Sequence, residues 1–181
     1  MNVTYILDRD DYLQYQLYYA STTKSIKAMR LKAWLAVFFV FVFFGCLLAL
    51  YTDGFIIYSF AATATIMFVL FPFYHKNRLK KQYRRHIEEN YKNSFEKETK
   101  LQLNEHNFQI SSATGESRIN HSSLDKIIEI SSHYFLKIKS GTYLIIPKTK
   151  IEDAKDIRAA LKKLSEKLKV EYSEELNWKW N

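Results

Sequence analysis

The sequence predicts an α+β membrane protein, in which a two-helix transmembrane hairpin precedes an antiparallel β domain capped by a C-terminal helix. Three observations carry this prediction. Residues 33–51 and 55–74 are uncharged apolar runs, separated by Thr52-Asp53-Gly54. From Thr99 the apolar period drops to two. Near the C-terminus, Ala154, Ile157, Leu161, Leu164 and Leu168 recur at helical spacing.

Each apolar run has about 20 residues, so a helix of that length rises about 30 Å, the depth of a bilayer core. Ten of the 13 phenylalanines lie between Phe38 and Phe73, which the hydropathy of the whole chain conceals. Lys24, Lys27, Arg30 and Lys32 precede the first span, and Lys76, Arg78, Lys80, Lys81, Arg84 and Arg85 follow the second. Basic residues at span ends are retained in the cytoplasm, so both termini are expected there, in the inner membrane, with the turn outside. A cleaved signal peptide is not expected, because the first apolar run starts near residue 33. The spans carry no ionisable side chain for an ion path or proton relay. Gly45, Ser59, Ala61, Ala62 and Ala64 allow close helix packing.

The order of elements begins with residues 1–32. Asn2 to Leu7 is β-branched and aromatic and reads as a strand. Asp8 fits an N-cap, with Asp10 and Asp11 in a first turn that favours acids. Tyr12, Tyr15 and Tyr19, with Leu13, Leu17 and Ala20, give a helix of about 12 residues a wide aromatic face. That face packs on the domain or on the second long helix, or lies in the headgroup layer. After the spans, residues 75–98 read as a basic juxtamembrane helix. From Asn77 to about Glu98 it lacks Gly and Pro, and Leu79, Tyr83, Ile87, Tyr91 and Phe95 recur every fourth residue. Glu88 and Lys92 form a favourable i, i+4 pair, and Pro72 is a candidate kink near the end of the second span.

Residues 99–170 form the soluble domain. Short alternating segments follow one another: Leu101 and Leu103, Phe108 and Ile110, Ser117 to Ile119, Lys126 to Ser131, Tyr134 to Lys139, and Thr142 to Ile146. Turns fall at Ala113-Thr114-Gly115 and Ser140-Gly141, and Pro147 ends the last segment. Six strands with short turns describe an antiparallel meander. Thr149-Lys150-Ile151-Glu152 fits a capping box ahead of the final helix. The stripe from Ala154 to Leu168 covers an open sheet face, or forms a short coiled-coil seam. Residues 171–181 form an aromatic tail containing Trp178 and Trp180.

The segments Phe108-Gln109-Ile110-Ser111, Gly115-Glu116-Ser117, Ile119, Ile127-Ile128-Glu129, Tyr134-Phe135-Leu136 and Ile145-Ile146-Pro147-Lys148 resemble the YcxB-like family of bacterial membrane proteins. The resemblance implies a two-span hairpin with a pleckstrin-homology-like barrel or meander closed by a helix. It carries no established reaction. A barrel of that kind has seven strands and the C-terminal segment supplies six, so residues 2–7 are expected to pair into its sheet, covering an edge.

No catalytic centre, cofactor or metal is expected. The five histidines make no His-x-x-x-His pair, and Cys46 is the only cysteine. His121, Ser122, Ser123 and Asp125 include triad residue types, but triad members come from separate elements. Ser122 or Ser123 reads better as a turn cap. Gly45, Gly54, Gly115 and Gly141 belong to no phosphate-cradling loop.

The net charge of +8 includes +4 on residues 75–98. This juxtamembrane excess points to anionic lipid headgroups rather than nucleic acid. The expected interaction residues are Lys76, Arg78, Lys80, Lys81, Arg84 and Arg85 for lipid, with Trp178 and Trp180 folding back or meeting a partner. The expected role is a non-catalytic, membrane-anchored binding module, its protein partner unidentified or a second copy. Alternatives are a membrane-bound immunity protein, a transporter-accessory protein or, more remotely, an enzyme.

Overall fold

The computed structural model describes residues 1–52, 54–112 and 115–180. Asp53, Ala113, Thr114 and Asn181 lie outside the described residues, including the middle of one predicted turn and the first two positions of another. The chain forms two compact units, Met1–Gln16 with Arg85–Trp180, and Leu17–Arg84.

The first unit contains eight strands. β1 (Asn2–Ile6), β2 (Glu98–Leu103), β3 (Asn107–Ser112) and β4 (Gly115–Asn120) form one sheet in that order. β5 (Leu124–Ile130), β6 (His133–Ile138), β7 (Tyr143–Pro147) and β8 (Glu171–Glu175) form the other, ordered β7-β6-β5-β8. The expected pairing of the N-terminal strand is present: β1 runs antiparallel to β2, with Val3 opposite Leu101 and Tyr5 opposite Thr99. The Met1 amino group donates to the Leu103 carbonyl at 3.0 Å, so the ladder extends to the first residue.

All six strands expected after Thr99 form, but the strands do not close into a barrel or make one continuous meander. A single 3₁₀ turn, His121–Ser123, separates β4 from β5. The edge of β5 that a meander would give to β4 is taken instead by β8, which runs parallel to it. This strand lies in the stretch read as a tail. Its sequence, Glu171-Tyr172-Ser173-Glu174-Glu175, is too acidic to read as a strand. Its ladder with β5 and the Tyr172 bond to Glu129 hold it, and Lys126, Arg158 and Lys162 offset its acidic charge. Gly141 takes φ 92° in the hairpin between β6 and β7, a conformation that glycine adopts without a Cβ clash.

The second sheet is covered on both faces, which explains why β5 and β6 are buried at consecutive positions. Ile127, Glu129, Tyr134 and Leu136 face α4 (Ala154–Leu168), while Ile128, Phe135 and Tyr143 face the first turns of α1 (Arg9–Thr22). Ile157, Leu161 and Leu164 of the expected stripe are buried, so α4 lies across the sheet rather than forming a coiled coil. Its start differs from the expected capping box. Lys148–Lys150 form a 3₁₀ turn, and Asp153 stands at the N-cap without a side-chain cap bond. Two Schellman-type bonds close its end, Lys169 N–H to the Glu166 carbonyl and Val170 N–H to that of Ser165. Lys169 occupies the left-handed position at φ 54°, where glycine is usual.

The second unit holds α2 (Lys24–Tyr51) and the larger part of α3 (Gly54–Tyr91). Both helices are long and apolar enough to cross a membrane. No residue of α2 is buried, and Phe39, Phe43, Leu50, Phe55 and Phe73 stay exposed. The helices meet through Trp34 on Phe68 and Phe41 near Phe60, and Gly45 leaves room for the Phe60 ring. Pro72 lies inside α3, which continues through it. The helix expected to reach Glu98 ends earlier. After Tyr91 comes one 3₁₀ turn, Lys92–Ser94, and Glu96 at φ 57° turns the chain into β2. Phe95 therefore leaves the helical ridge and packs against Tyr12, with ring centroids 5.7 Å apart.

Candidate functional site

Helix α1 starts as the local sequence requires. Asp8 Oδ1 accepts from the backbone N–H groups of Asp10 and Asp11 at 2.8 and 3.0 Å, and Asp11 Oδ2 accepts from Asp8 N–H at 2.8 Å. This reciprocal capping leaves the other Asp11 oxygen facing β6, where it lies 2.9 Å from His133 Nε2. Lys150 reaches the same cluster, at 2.5 Å from Asp8 and 2.6 Å from Asp11. Burial works against the Asp11 charge, but hydrogen bonds from His133, Lys150 and Asp8 prevail, lowering its pKa to about 2.

The order Ser132 Oγ, His133 Nδ1, His133 Nε2, Asp11 Oδ1 contains triad residue types, with a serine-to-imidazole distance of 2.7 Å. The imidazole is enclosed: it is buried and stacks on Phe135 with ring centroids 5.6 Å apart. A carboxylate saturated by an imidazole, a lysine and a backbone N–H is suited to pinning α1 against β6. No local signal in the sequence reveals this cluster, since Asp11 reads as a dipole-favoured acid and His133 as a turn residue.

A second cluster surrounds Glu129, which is buried. Its carboxylate accepts from Lys148 Nζ at 2.7 Å, Arg158 Nε at 3.0 Å and the Tyr172 hydroxyl at 2.7 Å. Burial pushes its pKa up, but the donors from Lys148, Tyr172 and Arg158 hold it below the usual glutamate value. Burial, reinforced by the Glu129 charge, pushes the Tyr134 phenol up to about 12. These contacts bind β5, β8 and α4 together.

The triad residue types noted in the sequence go to different places. His121 is buried against Phe108, with ring centroids 4.5 Å apart, and Asp125 pairs with Lys137 at 2.5 Å. Ser122 and Ser123 lie inside the 3₁₀ turn rather than capping it by a side chain. Their carbonyls accept from Lys139, from its side chain at Ser122 and its backbone at Ser123. A cavity of about 170 Å³ between the sheets, lined by Tyr5, Tyr12, Thr99, Ile110 and Tyr143, is smaller than the roughly 300 Å³ at which ligand pockets begin.

The basic run lies on α3. Arg78, Lys80, Lys81, Arg84 and Arg85 are exposed and Lys76 is half-buried. Spread at about 100° per residue, the six occupy more than half of the helix circumference. Arg85 pairs with Glu89 at 3.7 Å. Trp178 and Trp180 follow β8 and are both half-buried, with Trp178 N–H donating to the Glu175 carbonyl at 2.9 Å.

Comparison with curated proteins and with solved structures gave no match. Residues 103–164 match the family model described as YcxB-like protein, a stretch from the end of β2 into α4 that includes the residues carrying the sequence resemblance. Over this segment the chain is similar to the YcxB-like family.

Proposed function

We propose that the chain is a non-catalytic, membrane-anchored binding module. Its hairpin crosses the inner membrane and holds a small β domain on the cytoplasmic side. The observation that carries this reading is the exposure of α2 and α3 along runs of phenylalanine, leucine and isoleucine. A helix in the core of a soluble protein buries such residues, whereas here no α2 residue is buried. Water tolerates apolar patches of only a few hundred Å², whereas lipid solvates such side chains well.

Basic residues at both helix ends away from the turn support the orientation with both termini inside. The β domain is compatible with it, because residues 1–16 and 85–180 form one compact unit whose chain leaves and re-enters on either side of the hairpin. We read the domain as pleckstrin-homology-like because seven strands, β1 to β7, precede the helix α4. In this reading the basic run of α3 attracts anionic headgroups, at about 1 kcal/mol per residue near the surface. The domain itself meets a protein partner or a second copy.

Tags at Met1 and Asn181 in a cell-expressed chain test the proposal. The expected outcome is retention in alkali-washed membranes, with both tags labelled by an impermeant reagent only after permeabilisation. Extraction by alkali, or labelling from outside intact cells, would overturn it.

A further inference from the structure

The hairpin end that carries the basic flanks is open. Between α2 and α3 lies a cleft of about 340 Å³, lined by Lys27, Arg30 and Trp34 from one helix and Phe71, Pro72 and His75 from the other. This volume falls within the roughly 300–1,000 Å³ of small-molecule sites. The cleft has two levels. Its apolar level is aromatic, with Trp34 stacked on Phe68 at 4.4 Å between centroids and Phe71 beside His75 at 5.5 Å. Its other level is cationic, since Lys27 and Arg30 face His75.

The electrostatics favour an anion. No acidic residue occurs between Tyr12 and Thr52, or between Gly54 and Ile87. The nearest acids on α3, Glu88 and Glu89, come more than three helical turns after His75 and pair with Arg9 and Arg85. Burial first, then the positive charges of Arg30 and Arg78, hold the His75 pKa below its ordinary value.

The depth identifies the source of the anion. Trp34 stands at the start of the apolar run, with Arg30 and Lys27 one and two helical turns before it, about 6 and 10 Å along the axis. The headgroup layer extends roughly 5–8 Å beyond the hydrocarbon on each side. The aromatic level therefore meets acyl chains, Arg30 lies at the depth of the phosphates, and Lys27 stands just outside them, within reach of its long flexible side chain.

We propose that this cleft binds one anionic phospholipid of the adjacent leaflet. Lys27 and Arg30 hold its phosphodiester, and the aromatic rings of Trp34 and Phe71 lie against its acyl chains. The proposal rests on the transmembrane reading above and makes it more specific: beyond general attraction to a charged surface, one lipid occupies one place.

The test is native mass spectrometry of the full chain in detergent, with equal amounts of phosphatidylglycerol and phosphatidylcholine. One phosphatidylglycerol per chain should be retained in preference to phosphatidylcholine. Lys27→Gln and Arg30→Gln should each lower its affinity about fivefold. The control Lys155→Gln/Lys163→Gln removes two exposed charges of the β domain, outside the basic run and the cleft, and should leave retention unchanged. Helical circular dichroism of each variant verifies folding. Equal retention of the two lipids, or equal losses in control and cleft variants, would overturn the proposal. Alkali extraction separates the two readings. A chain that stays in washed membranes but shows no lipid preference loses only the cleft, whereas a chain that extracts loses both.

Discussion

The Asp11 carboxylate lies 2.9 Å from His133 Nε2, although 122 positions separate the two residues in the chain. Ionised Asp11 can only accept, so Nε2 carries the proton and Nδ1 faces the Ser132 hydroxyl. The contact fastens the first turn of α1 to the middle of a sheet made from the C-terminal half of the chain. The apolar hairpin is thus an insertion within the β domain rather than a leader ahead of it.

This contact makes stability depend on acid. Asp11 has an ordinary pKa of 3.8, lowered to about 2 in the fold, so it stabilises the fold above pH 4. That contribution, about 2 kcal/mol, is lost as the pH falls from about 4 to 2. Thermal unfolding of the detergent-solubilised chain between pH 6 and 2 should show the loss. Asp11→Asn should be less stable at pH 6 and should flatten the acid limb.

The pairing of β1 with β2 can be trapped covalently. Thr4 and Lys100 face each other in the register, and both are exposed. They flank the hydrogen-bonded pair Val3 and Leu101, so they form a close pair at about 4.5 Å between Cα atoms, within disulfide reach. Thr4→Cys/Lys100→Cys in a Cys46→Ala background should cross-link on oxidation and run faster on a non-reducing gel. Thr4→Cys/Ser117→Cys should not.

Tyr172 donates a hydrogen bond of 2.7 Å to the buried Glu129 carboxylate, which ties β8 to the sheet. Tyr172→Phe should destabilise the domain by about 2 kcal/mol, since a bond to a charged, buried acceptor is lost. Chemical denaturation in detergent measures this. A change below about 0.5 kcal/mol would mean that Lys148 and Arg158 satisfy Glu129 without it.

Lys169 pays a steric cost at φ 54° to close α4. Lys169→Gly should raise stability by roughly 0.5–1 kcal/mol, because glycine adopts the left-handed region without that clash. An unchanged or lower melting temperature would count against strain at this position.

Orientation should follow the basic run. Replacing Lys76, Arg78, Lys80, Lys81, Arg84 and Arg85 with Gln leaves Lys24, Lys27, Arg30 and Lys32 as the main orienting charges. The expected outcome is a mixed population in which a C-terminal tag is partly labelled by an impermeant reagent from outside intact cells. Uniform protection of that tag would show that the N-terminal flank orients the chain alone.

The sequence by itself determined the features that depend on local chemistry. The two apolar runs, the Asp8 cap, the six period-two segments and the α4 stripe all record the environment of each side chain along a regular element. The pairing of β1 was an expectation drawn from the seven strands that the family resemblance implies, and its partner β2 and register come from the structure. Only the tertiary structure decided which edge β8 would take, and why an acidic tail becomes a strand. That choice depends on Lys126, Arg158, Lys162 and Glu129, which approach β8 only after β5 and α4 have packed. The Asp11–His133 contact and the cleft between Arg30 and His75 share the same reason. Each forms between groups far apart in the chain, whose proximity is set by helix and sheet packing and leaves no periodic trace in the order of residues.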